Sequence, residues 1–135
     1  MAVDLQSMQQ STLILETASG AHSIDIEIPE TVAEQQAGLG FRRQVPAGSG
    51  MLFLYPASQE VSMWMKDTHV SLDMVFIRAD GMVHRIEAAT RPLSRTVVPS
   101  RGDVVAVLEL AAGSARHLAL EPGDLVVHPA FAAGI

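Results

Sequence analysis

A chain of 135 residues, 48% hydrophobic and 18% charged, has the length of one domain and enough apolar content for a full core, which excludes a disordered chain. Its net charge of -6, with eight Arg, one Lys and no basic block beyond Arg42-Arg43, argues against nucleic acid as a partner, because phosphate contacts need clustered positive charge. The absence of Cys removes disulfides, thiolate metal sites and thiol catalysis, and no apolar run reaches the ~18 residues of a membrane span.

Residues 1–11, MAVDLQSMQQS, are polar and read as a flexible leader, with 12–135 as a single β domain. They lack the basic start and apolar centre of a signal peptide. The protein is therefore cytoplasmic, or extracytoplasmic with a signal removed ahead of Met1. Residues 12–28 alternate as a hairpin, with Ile24, Ile26 and Ile28 on one face and Ser23, Asp25 and Glu27 on the other. Thr31 and Glu34 have the spacing of a capping box, and Gly38 suits a helix end, so a short helix is expected over 31–37.

Strands are expected at 51–55, 61–66, 72–78, 82–88 and 104–110, with a turn at 79–81. Residues 91–103 read as a long polar connection. Residues 114–120 fit two helical turns capped by Ser114, and the last strand is Asp124–His128. Many short strands with two short helices imply a mainly β fold, a compact antiparallel β sandwich or barrel.

The densest chemistry lies at residues 63–76, MWMKDTHVSLDMVF, which hold the single Trp, the single Lys and two carboxylates. In 61–66, alternation sends Val61, Met63 and Met65 one way and Ser62, Trp64 and Lys66 the other. Asp73 shares a face with Val75 and Ile77, and Glu109 one with Val105 and Val107. A carboxylate on an apolar face is normally paired or hydrogen-bonded. Arg42, Lys66 and Arg101 are the available partners. A nearly neutral cluster of Arg42, Lys66, Asp73 and Glu109 is one expectation, either as a structural ion-pair network, with carboxylates capping loop amides as the other structural reading, or as a polar pocket.

Other chemistries have little support. His22, His69, His84, His117 and His128 show no metal-ligand spacing, so no metal site and no cofactor is expected. The Met63 and Met65 sulfurs share a face, but they read as core residues rather than a copper(I) site. Ser100 lies in VPSRGD, outside any nucleophile motif, and reads as a turn hydroxyl.

Taken in order, AGLGFR, GMLFLY, WMKDTHVSLDMVFI, DG, VPS, VLELAAG and PGD resemble the bacterial and archaeal family called domain of unknown function 192, over about residues 24–128. The resemblance implies a mostly β sandwich related to jelly rolls, often behind a signal or lipoprotein leader, with no established activity. It implies a polar signature at Glu34, Arg42, Trp64, Lys66, Thr68, Asp73, Ser100, Glu109 and Asp124. The chain departs from the family pattern at Gly40 (usually Met), Asp67 (usually Asn) and Ser71 (usually Pro).

The function expected from these residues is a binding module. Arg42, Trp64, Lys66, Asp67, Thr68, Asp73, Ser100 and Glu109 are its candidate ligand-binding residues. An aromatic ring beside a few polar groups suits a small polar molecule, a saccharide or an envelope component. The alternatives are a hydrolase- or lyase-like enzyme using Asp73 and Glu109 as acid and base, and a structural or interaction domain whose polar cluster only orders loops.

Overall fold

The Ile24, Ile26, Ile28 alternation builds a hairpin of two nine-residue strands, β1 (Gln9–Thr17) and β2 (Gly20–Ile28). The computed structural model describes residues 8–40 and 42–131 of the chain. β1 starts at Gln9, paired with Ile28, so the ladder runs past the alternating stretch into residues that carry no apolar pattern. Residues 1–7, most of the expected leader, lie outside the described residues.

Helix α1 (Val32–Ala37) carries the full capping box. The Glu34 amide donates to Thr31 Oγ1 at 3.0 Å, and the Thr31 amide donates to Glu34 Oε1 at 3.2 Å. Such a cap is worth about 1 kcal/mol, a large share for six residues that bury no side chain. Gly38 closes the helix at φ 48, where a Cβ would be strained.

The remaining strands are β3 (Ser49–Met63), β4 (Leu72–Ile77), β5 (Val83–Glu87), β6 (Val98–Ala111) and β7 (Leu125–Val127), with helix α2 (Ser114–His117) before β7. The two strands expected at 51–55 and 61–66 are one element, because β6 pairs with both halves. Between them Leu54 pairs with Ala106 and Gln59 with Val104, so Tyr55–Ser58 bulge out opposite Val105. The pairing of Ser62 with Pro99 and Met63 with Val98 also draws part of the expected 91–103 connection into β6. Here the Ser100 hydroxyl replaces a missing ladder bond. It accepts from the Val61 amide at 2.9 Å and donates to the Gly102 carbonyl at 2.7 Å.

The strands form one seven-stranded sheet in the order β5-β4-β6-β3-β2-β1-β7. The expected mainly β fold with two short helices is found, as one sheet curled into a half-barrel. All pairs are antiparallel except β2 with β3, which is parallel over Asp25–Glu27 and Ser49–Met51. The connection through α1 supplies the crossover that parallel pairing requires. The two edges meet at one end of the sheet, where the Val126 amide donates to the Gly81 carbonyl at 2.8 Å and Met82 bridges to Leu125. A Cβ on Gly81 (φ 86) would lie 2.7 Å from the Val126 carbonyl oxygen, so this closure needs glycine.

Apolar residues pack on both faces of the sheet. The concave side buries Leu13, Ile26, Leu52, Val75, Leu108 and Val126; the outer side buries Met51, Phe53, Met65, Met74, Phe76 and Val107. All six residues of β4 are buried for that reason. Each fully buried large side chain contributes about 1.5–3 kcal/mol. Among the described residues, no helix is long and apolar enough to cross a membrane.

Candidate functional site

The alternation expected for 61–66 persists beyond the end of β3 at Met63. Val61 and Met65 are buried in the outer core, while Trp64 is 51% exposed and Lys66 is also exposed. The loop that follows is pinned by backbone bonds: Met65 amide to Ser94 carbonyl at 3.0 Å, Thr68 amide to Met65 carbonyl at 3.0 Å, and Leu93 amide to Thr68 carbonyl at 2.9 Å. Asp67 sits at φ 58, in the left-handed region that Asn and Asp tolerate better than other side chains. That backbone demand accounts for the Asn usually found at this place in the resembling family, and Asp meets it as well.

Trp64, Lys66, Asp67 and Thr68 line a cleft of about 590 Å³. Its other walls are Tyr55 and Met63 from β3, the residues from Gln35 to Gly40 at the end of α1, and Glu109 from β6. Lys66 Nζ lies 5.4 Å from the Trp64 ring centroid, a cation–π contact at the rim. Thr68 is buried, and its hydroxyl donates to the Lys66 carbonyl at 3.3 Å. Gly40 places no side chain in the cleft, where the family pattern has Met.

Glu109 is the chemical centre of this cleft. Its residue is 5% exposed, and among the described residues its carboxyl has neither hydrogen-bond nor ion-pair partner. Burial pushes its pKa from 4.5 up to about 7. Its cross-strand neighbours are Met51 on β3 and Met74 on β4, both fully buried. Tyr55 is raised above the usual phenol value by burial and then by the Glu109 charge. The Tyr55 hydroxyl lies 3.5 Å from Met63 Sδ.

The other expected site residues lie elsewhere. Arg42 forms a bidentate pair with Glu27, Nη1 to Oε1 at 2.6 Å and Nη2 to Oε2 at 3.0 Å. It is not among the cleft-lining residues. Asp73 opposes Leu110 across the ladder, whereas Glu109 opposes Met74, so the two carboxyls project from opposite faces of the sheet. The expected cluster of Arg42, Lys66, Asp73 and Glu109 is therefore not formed.

Asp73 serves the backbone instead. Its Oδ1 accepts from the Ala89 amide and its Oδ2 from the Ala115 amide, both at 2.9 Å. The second bond caps the first turn of α2. The N-cap residue there is Gly113, not Ser114, and it offers no side-chain bond. Ser100 holds the β3–β6 irregularity described above. Tyr55 and the α1 end were missed as site residues; the only sequence signal was the shared aromatic character of Tyr55 and Trp64.

The same architecture occurs in solved structures. A protein of Sinorhizobium meliloti 1021, provisionally described as a transcription regulator, is 36% identical, with a TM-score of 0.88 over 93% of this chain and 98% of its own. A protein of unknown function from Novosphingobium aromaticivorans DSM 12444 is 33% identical, with a TM-score of 0.88 over 95% of this chain and 91% of its own. No protein with a curated functional description matches. The model of domain of unknown function 192, described as "Uncharacterized ACR", matches residues 14–128, which run from within β1 through β7 and include every residue named around the cleft. With that match over most of its length, the chain belongs to the domain of unknown function 192 family.

Proposed function

We propose that the protein is a binding module for a small polar ligand of saccharide type, held in the cleft between Trp64 and Glu109. One observation carries this reading: an exposed Trp and a buried carboxyl without a partner among the described residues border the same cleft. The exposed Trp64 ring, outside the area over which Lys66 lies, offers an apolar platform for the C–H face of a sugar. Glu109, Tyr55, Asp67 and Thr68 offer acceptors and donors for hydroxyls. A net charge of -6 without a basic block argues against direct nucleic-acid binding of the kind a transcription regulator uses.

Trp64 is the only Trp, so its fluorescence reports directly on the cleft. Screening sugars and other polyols by thermal shift and then by Trp64 emission is expected to give a ligand that alters both. Lys66→Ala and Thr68→Ala should weaken it, and Trp64→Ala, followed by calorimetry, should weaken it at least about tenfold, equivalent to ~1.4 kcal/mol. A ligand whose affinity survives all three substitutions would place binding elsewhere.

A second reading rests on Glu109 alone. A carboxyl with a pKa of about 7 has the proton affinity of a general acid or base at neutral pH. Asp73 lies across the sheet, so Tyr55 is the proton-bearing neighbour available to it. Turnover of the identified ligand that Glu109→Gln abolishes while binding persists would establish this reading.

A further inference from the structure

The cross-strand register aligns five residues in one row on the outer face of the sheet. Glu27 on β2 opposes Met51 on β3, Met51 opposes Glu109 on β6, Glu109 opposes Met74 on β4, and Met74 opposes Glu87 on β5. The row thus reads Glu, Met, Glu, Met, Glu, with carboxyls two strands and about 10 Å apart. The outer two each have a guanidinium. Arg42 pairs with Glu27 at 2.6 Å, and Arg85 pairs with Glu87 at 2.7 Å. The central one, Glu109, has no ion-pair partner among the described residues, and it alone of the three lines the cleft.

We propose that the ligand supplies the missing cation: the cleft selects a molecule bearing an ammonium group, an amino sugar rather than a neutral one, and seats that group on Glu109. This rests on the proposed binding function and specifies its ligand class.

The surroundings of Glu109 support a charged partner over a neutral one. The methionines on either side and Phe53 on β3 carry no hydrogen-bond donor. From β3 the titratable neighbour is Tyr55; the adjoining loop brings Lys66 and Asp67 to the cleft, and the α1 end brings only Gln35 and Gln36. Lys66 is held at the rim over Trp64. An ammonium there meets an ionised carboxylate flanked by Met51 and Met74, and a charge-assisted hydrogen bond is about twice as strong as a neutral one. A hydroxyl in the same place gains only the neutral bond. Glu109 is largely protonated well below pH 7 in the empty cleft, so bound ammonium must displace a proton there, and selectivity must grow as pH rises towards 7 and fall again once the ligand's own ammonium loses its proton.

The test compares glucosamine, glucose and N-acetylglucosamine at matched ionic strength, with Trp64 emission for affinity and the ¹³C shift of Glu109 Cδ for protonation. Near pH 7, where the carboxylate and the ligand's ammonium can coexist, glucosamine is expected to bind at least about tenfold tighter than either neutral sugar. It should also move the Glu109 titration to lower pH. Glu109→Gln should remove the preference, bringing the affinity for glucosamine down to that for glucose. Glu27→Gln, whose carboxyl already has Arg42, should keep the preference. Equal affinity for the three sugars, with an unmoved Glu109 titration, overturns the proposal and leaves the saccharide reading standing. If no sugar changes Trp64 emission, the saccharide reading fails, and ethylammonium then decides this proposal separately: an unmoved Glu109 titration overturns it and a lowered one supports it.

Discussion

Glu109→Gln is expected to stabilise the protein by about 3 kcal/mol above pH 7 and to leave it unchanged below pH 4.5. The amide keeps the shape of the protonated side chain but cannot ionise. In the folded protein Glu109 holds its proton up to about pH 7, because burial among apolar side chains disfavours the carboxylate. In the unfolded chain it releases the proton near 4.5. Between these values the folded state binds more protons than the unfolded state, so stability falls as pH rises. The loss is complete above the folded pKa and absent below the unfolded one. Urea unfolding of both proteins across this range isolates the effect, since contributions from other groups, such as the partly buried His128, cancel in the difference. A difference that does not vary with pH would show that Glu109 ionises equally well in both states. An inverted dependence would show that it has a cation partner in the folded protein. Saturation with an ammonium ligand should reduce the wild-type deficit, because the carboxylate then has its counter-charge.

Much of this arrangement was legible in the chain. The capping box at Thr31 and Glu34, the opposite facing of Met65 and Lys66, and the placement of Asp73 and Glu109 on apolar faces follow from local periodicity, and the structure has all of them. What local periodicity cannot supply is partnership. β6 inserts between β3 and β4, so Glu109 meets Met51 and Met74, from strands that precede it by dozens of residues. The row from Glu27 to Glu87 exists only once five strands are in register. Arg42 was assigned to the wrong acid for the same reason. The parallel pairing of β2 with β3 brings Glu27 beside Met51, within reach of the segment after α1. Residues 98–103 looked like loop because Pro99, Arg101 and Gly102 interrupt any pattern. They join β6 through an irregularity that Ser100 repairs from its side chain. The family resemblance placed Asp73 and Glu109 in one signature, yet the geometry separates them into a backbone anchor and a cleft carboxyl.

That separation has a large expected consequence. Asp73→Ala should cost about 3–5 kcal/mol of stability while leaving ligand affinity in the cleft unchanged. The carboxyl accepts from two amides that no nearby chain segment would otherwise bring together, at Ala89 after β5 and Ala115 in α2. Without it both N–H groups lose their acceptor, one of them at a buried position, at about 1–3 kcal/mol each. Ala89 adds to the cost. It sits at φ 50, a conformation an alanine holds only when its surroundings fix it. The cavity left by the shortened side chain contributes the remainder. Asp73→Asn should lose roughly half as much, since one oxygen still accepts and the other is replaced by a donor facing a donor. Guanidinium unfolding measures the stability, and Trp64 emission measures the binding. Because Asp73 projects from the concave face and the cleft opens on the other, the two readouts should separate. If Asp73→Ala weakened the ligand at full stability, the carboxyl would be acting through the sheet on the cleft rather than anchoring the backbone. A loss of stability with intact binding would fix Asp73 as a backbone anchor, like Ser100, within a signature of which Trp64, Lys66, Thr68 and Glu109 line the cleft.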